Sequence, residues 1–153
     1  MTERVDFYVL KSSMAKQRWT FACRLTEKAY LRELRVVLLS ESTAEADAID
    51  ELMWTFNERS FVPHGIYRHD RPFDAATPVQ LTPDLDGIDH ADLLVNLSGR
   101  LPSRLERFSR IAEIIDADEE RRRLGRERFK AYRDLKLPLE THQLNDAADG
   151  GLA

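Results

Sequence analysis

Along the chain, short apolar runs alternate with longer stretches of helical period. Residues 5–10 (VDFYVL) are rich in β-branched and aromatic side chains and predict a buried strand. From about Met14 to Leu34 the spacing becomes that of a helix, with Trp19, Ala22, Cys23, Thr26 and Tyr30 on one stripe that reads as core packing. Residues 35–40 (RVVLLS) have the continuous apolar character of a central strand. Ser42, with Glu45 three residues on, predicts a capped helix reaching about Phe56. Its inner stripe is Ala46, Ile49, Met53 and Phe56, and Trp54 lies at the edge of that stripe.

The pattern breaks between Asn57 and Thr77, a loop with prolines, a glycine and several aromatics. A short strand is expected at residues 79–81 and a stronger one at 92–97 (DLLVNL), ended by Ser98-Gly99. Residues 101–108 suggest a short helical piece. Residues 110–116 (RIAEIID) suit a strand or a helix, and strand is the preferred reading. Asp118 opens a last helix to about Leu135, and the small, polar end of the chain is expected to be mobile. Strands alternating with helices predict a single α/β domain over residues 1–140, with a mostly parallel sheet and helices on both faces, followed by an extension at 141–153.

Composition narrows the function more than the fold. At 153 residues, 42% hydrophobic and 33% charged, the chain fits one folded domain. Cys23 is the only cysteine, so an intrachain disulfide and a cysteine metal cage are both excluded, and a reducing cytoplasm is the natural setting. Asp6, Lys11, Lys16 and Arg18 interrupt the region where an export signal would need its apolar stretch, and no run has membrane-spanning length. The net charge of -4 argues against a surface that coats nucleic acid throughout. Yet residues 121–136 hold eight basic side chains against two acidic ones, a local net of +6 that leaves -10 on the remainder. An acidic partner would be steered to that one place.

Tests for catalytic chemistry return nothing. Residues 11–14 (KSSM) follow the first strand without a glycine, no G-x-G occurs, and neither a P-loop nor a nucleophile elbow is present. His64, His69, His90 and His142 form no zinc-binding helix motif and read as loop or surface residues. Asp84, Asp86, Asp89 and Asp92 sit in a proline-containing connection and read as solvated, so no catalytic residue, metal or cofactor is assigned.

Two stretches stand out instead. In the last helix, Leu124, Ala131 and Leu135 are expected to face inward, with Arg122, Arg126, Phe129, Lys130 and Arg133 gathered on the opposite side. An aromatic ring among exposed cations has an apolar surface to hide, which suits a nucleic acid or an acidic peptide with an aromatic end. The second stretch is Trp54 with residues 59–64 (RSFVPH). Pro63 biases Val62 to an extended conformation, so Phe61 either closes the core or joins Trp54 in a patch for a partner.

Residues 60–64 (SFVPH) after a helix containing Leu52-Met53-Trp54, the 92–97 strand, residues 113–116 (EIID) and residues 126–133 (RERFKAYR), in this order, resemble the DNA polymerase III chi subunit family over nearly the whole chain. The resemblance implies a Rossmann-like α/β domain without nucleotide-binding loops. It also implies a non-catalytic, cytoplasmic accessory subunit in DNA replication that needs no cofactor. Arg126, Phe129 and Lys130 match positions that hold the tail of the single-stranded-DNA-binding protein, an acidic peptide ending in proline and phenylalanine. Trp54 and Phe61 match positions that dock the psi subunit, the connection to the clamp loader, or a helicase-like partner. DNA contact would then be mainly indirect. The alternative is direct nucleic-acid binding by the basic last helix.

Overall fold

The computed structural model describes residues 1–57, 59, 61–67 and 77–144. Residues Arg4–Leu10 form β1, whose alternating side chains feed two different cores. Val5 and Phe7 enter one, while Tyr8 and Leu10 enter the other. Helix α1 follows at Ala15–Leu31, then β2 at Val36–Leu39, α2 at Thr43–Met53, β3 at His64–Ile66, β4 at Val79–Thr82 and β5 at Ala91–Asn96. A 3₁₀ turn at Leu105–Arg107 leads into β6, Phe108–Ile115, and α3 and β7 follow at Glu119–Asp134 and Leu139–Leu144.

Among the described residues seven strands lie in the order β3-β4-β2-β5-β6-β1-β7 with every pairing parallel, so the sheet goes beyond the mostly parallel expectation. A parallel sheet must be covered on both faces. Here α1 and α2 cover one face with Phe21, Cys23, Ile49 and Met53, and α3 covers part of the other with Tyr132. Burial pushes the Cys23 thiol up to about 12, which leaves it an inert core residue. No helix among the described residues is long and apolar enough to cross a membrane.

Ser42 accepts a hydrogen bond from the Glu45 backbone N–H at 3.1 Å, as its spacing predicted, although the Glu45 carboxylate reaches the N–H of Glu41 at 2.8 Å instead of that of Ser42. Asp118 caps α3 through the Arg121 N–H at 2.9 Å. The ambiguous residues 110–116 fall almost wholly within β6, whereas the helical piece expected at 101–108 shrinks to the 3₁₀ turn.

Two strands went unpredicted. β3 has only three residues inside the expected loop, and β7 alternates polar and apolar positions because it is an edge strand with no continuous apolar run to announce it. Regular structure thus continues through residue 144, into the segment read as an extension. Residues 145–153 and His69 lie outside the described residues.

Candidate binding faces

The last helix does not turn the stripe inward that its hydrophobicity suggested. Its buried residues are Gly125, Arg128 and Tyr132, while Leu135 is 56% exposed. The reason is Glu113, a fully buried carboxylate on β6. Arg128 Nε donates to Glu113 Oε1 at 3.0 Å, while the Tyr132 hydroxyl (2.6 Å) and Asn96 Nδ2 (2.8 Å) donate to Oε2. Burial pushes the Glu113 carboxyl above its ordinary value, against the opposing pull of Arg128, Tyr132 and Asn96. A buried charge is tolerated only when paired and hydrogen-bonded, and this network meets both conditions. Periodicity places arginine in solvent and cannot see the carboxylate on another element that brings it inside.

The network also sorts the basic residues of α3. Arg128 is committed to Glu113 and the Gly99 carbonyl, Arg121 to Glu41 and Asp116, and Arg123 to Glu120 and Glu127. Arg122 donates to the carbonyls of Asp116 and Leu10. Arg126 and Lys130 are exposed and, among the described residues, make no side-chain hydrogen bond or ion pair. Their donors are available to an incoming anion.

Beside Arg126 lies a groove of about 250 Å³ between α3 and strands β1 and β7. Phe7, Val9, Ile115 and Phe129 give it apolar walls, Arg122 and Arg126 a cationic rim, and Thr141 and Gln143 a polar edge. Phe129 is therefore half-buried rather than set opposite the core. Its ring meets Phe7 edge-on, with centroids 5.2 Å apart. Lys130, on the exposed side of α3 one turn beyond Arg126, does not line the groove.

Gly125 sets how closely α3 approaches the sheet, since a Cβ there would lie 2.3 Å from Ile115 Cδ1. The contributions of Gly125, Phe7 and β7 to the groove escaped sequence reasoning. The one available signal was a glycine inside a helical pattern, which often marks close packing. An apolar slot rimmed by unpaired guanidinium suits an aromatic side chain that carries a nearby carboxylate.

At the other edge of the sheet, Trp54 and Phe61 are 51% and 64% exposed. The core-closing reading of Phe61 is therefore overturned. Their ring centroids are 5.6 Å apart, and Trp54 leans on the His64 ring at 4.5 Å. His64, read as a loop or surface residue, is buried in β3. Its Nδ1 lies 2.6 Å from the Val62 carbonyl and its Nε2 3.0 Å from the Asp50 carbonyl. The imidazole thus ties the end of α2 to the segment carrying Phe61 and holds the aromatic pair in place.

Two further charged clusters bear on ligand chemistry. Arg18, assigned to no stripe by the sequence, is 1% exposed and pairs with Glu45 and the Leu97 carbonyl. Its guanidinium is thereby buried beside Leu97 and Asp116, at the carboxyl ends of β5 and β6, the end of an open α/β sheet at which ligands usually bind. Asp6, Glu140 and His142 present ligand atoms within 4.8 Å of one another. Arg4 and Arg110 already share an oxygen of Asp6, however, and that cationic company opposes a metal ion.

Against known proteins, the family model described as DNA polymerase III chi subunit, HolC, matches residues 1–140. The DNA polymerase III subunit chi of Pseudomonas aeruginosa is 36% identical over 92% of this chain and 96% of its own length. That of Haemophilus influenzae is 27% identical over 87% of this chain and 92% of the relative, and that of Escherichia coli 27% over 78% and 80%.

Proposed function

The chain belongs to the DNA polymerase III chi subunit family, and on that premise we propose that this replication accessory subunit is a non-catalytic, cytoplasmic adaptor linking the clamp loader to the single-stranded-DNA-binding protein. The α3 groove takes the acidic, aromatic-ended tail of that protein through Arg126, Phe129 and Lys130. Trp54 and Phe61 dock psi or a helicase-like partner, so contact with DNA through these two faces is indirect. The observation that carries this reading is the uncommitted Arg126 at the rim of an apolar slot, with Lys130 equally uncommitted one turn on, while Arg121, Arg122, Arg123 and Arg128 of α3 are internally engaged.

The placement of the faces supports an adaptor. β7 and β3 are the opposite edges of a seven-stranded sheet. At about 4.8 Å per strand spacing the edges are roughly 29 Å apart, enough for two partners to sit without overlap.

Calorimetry with an acidic peptide ending in proline and phenylalanine tests the groove. A charge-assisted hydrogen bond contributes about 1.5–3 kcal/mol, so Arg126→Ala should weaken the peptide by roughly tenfold to a hundredfold, and Lys130→Ala by less. Added salt should weaken wild-type binding, because exposed charge pairs are screened, whereas Phe129→Ala should weaken it at every salt concentration. Unchanged peptide affinity in Arg126→Ala would reject the groove assignment. Tighter binding of single-stranded DNA than of peptide, lost in the same variant, would hand the helix to the direct nucleic-acid alternative.

A further inference from the structure

On the other side of the sheet from the α3 groove, a cleft of about 260 Å³ opens between the last turns of α1 and the amino ends of β1 and β6. Four cations line it, Arg4, Lys28, Arg32 and Arg110. Arg4 and Arg110 are register partners on adjacent strands, and Lys28 in the last turn of α1 is followed four residues on by Arg32, which caps that helix. The cleft thus presents cations in two pairs from two separate elements.

The strand pair is held from beneath by Asp6, a 2% exposed carboxylate that accepts from Arg4 Nε at 3.2 Å and Arg110 Nη2 at 3.0 Å. Despite the upward push of burial, His142, Arg110 and Arg4 keep the Asp6 carboxyl below its ordinary value. Asp92, the other acid lining the cleft, already accepts the Arg35 N–H at 2.8 Å. Lys28 and Arg32, by contrast, make no side-chain hydrogen bond or ion pair among the described residues.

Cations at a helix end also complement its dipole, which would explain Lys28 or Arg32 alone. It does not explain the fixed strand pair facing them. The cleft has a flat wall as well, since the partly exposed His142 ring lies parallel to Tyr8 with centroids 4.7 Å apart. Such a plane can carry an unpaired base, and cations spaced around it can meet successive phosphates. Although the chain is acidic overall, the four cations lining this opening give a polyanion a local attraction there.

We propose that the cleft formed by Arg4, Lys28, Arg32 and Arg110 around Asp6 and His142 binds the phosphodiester backbone of single-stranded nucleic acid. It shares no residue with the tail groove or with the Trp54 and Phe61 face, so the strand and the two protein partners do not compete for it. Edge strand β7 serves both sides of the sheet, giving Thr141 and Gln143 to the groove and His142 to the cleft.

The test is fluorescence anisotropy of a labelled oligothymidylate with the full chain, over a salt series. Lys28→Ala with Arg32→Ala, both exposed, should weaken the oligonucleotide at least tenfold at low salt. The slope of log affinity against log salt should fall by about 1.4, because each single-strand phosphate contact contributes about 0.7. Arg126→Ala should leave the oligonucleotide unaffected while weakening the acidic peptide, and the double variant should do the reverse. A wild-type chain that does not bind the oligonucleotide, or a double variant with an unchanged salt slope, overturns the site. Competition by dTMP at equal nucleotide concentration would assign it to a lone phosphate, and competition by the acidic peptide would assign it to protein, each overturning the strand proposal. Failure of the peptide to bind at all would fall on the adaptor reading alone.

Discussion

At the α3 groove the residues proposed to bind stand on a buried ionic network, whereas at the opposite edge Trp54 and Phe61 lean on each other and Trp54 on His64. Arg126 and Phe129 owe their positions to a helix anchored by Arg128 and Tyr132 on Glu113, and to a glycine that lets the helix sit against Ile115. Phe61, 64% exposed in a segment outside any helix or strand, has little beneath it that its removal could disturb. On the proposed assignment, affinity at the groove should be coupled to the folding of the domain, and affinity at the aromatic pair nearly independent of it.

The hardest blow to that contrast is Glu113→Ala. It strands the 6% exposed Arg128 without its carboxylate, and breaking a buried pair costs about 3–5 kcal/mol. Denaturant unfolding should register that loss, with weaker tail-peptide binding alongside. A loss below about 1 kcal/mol would mean that the network does not anchor the helix. Gly125→Ala comes next. Its Cβ must push Ile115 aside, and overpacking of this kind costs about 1–3 kcal/mol, against a gain of roughly 1 kcal/mol from helix propensity. The net should be a modest drop in stability and a displaced groove, read as weaker peptide binding with unchanged partner binding at Trp54. A variant more stable than wild type that binds peptide normally would show that Ile115 yields freely. Smallest in stability is Phe61→Ala, expected within about 0.5 kcal/mol of wild type because the ring is exposed. Binding of psi or the helicase-like partner should nevertheless fall while the peptide is unaffected. Unfolding of the Phe61→Ala protein would erase the contrast from the other side.

The parts of this molecule that announce themselves in sequence are those whose neighbours are local. Continuous apolar runs identified β1, β2, β5 and β6, and the capping residues Ser42 and Asp118 marked two helix starts. Trp54, Phe61, Arg126 and Lys130 were picked out as large or charged groups in unusual company, and the structure leaves all four on the surface. What stayed hidden depends on residues distant in the chain. Arg18 and Arg128 look like solvent residues until Glu45, Asp116 and Glu113 are brought against them. Phe129 looked outward because Phe7, on the first strand, cannot be seen from the last helix. β7 pairs with β1 from the far end of the chain, and its own alternation carries too little apolar signal to reveal it.

That last pairing has a consequence for how the protein comes into being. β1 is made well before its neighbours β6 and β7, and the Asp6 contact to His142 spans 136 positions. Contacts this remote raise the contact order and are slow to form, because a long loop must close before they stabilise anything. On the ribosome, β1 has to wait without its lateral partners until β6 and then β7 have emerged. The α3 groove, built from Phe7 on β1 and Gln143 on β7 among others, cannot exist before then. A chain cut short of β7 should therefore fail to bind the acidic peptide proposed for that groove, however well its earlier elements are made.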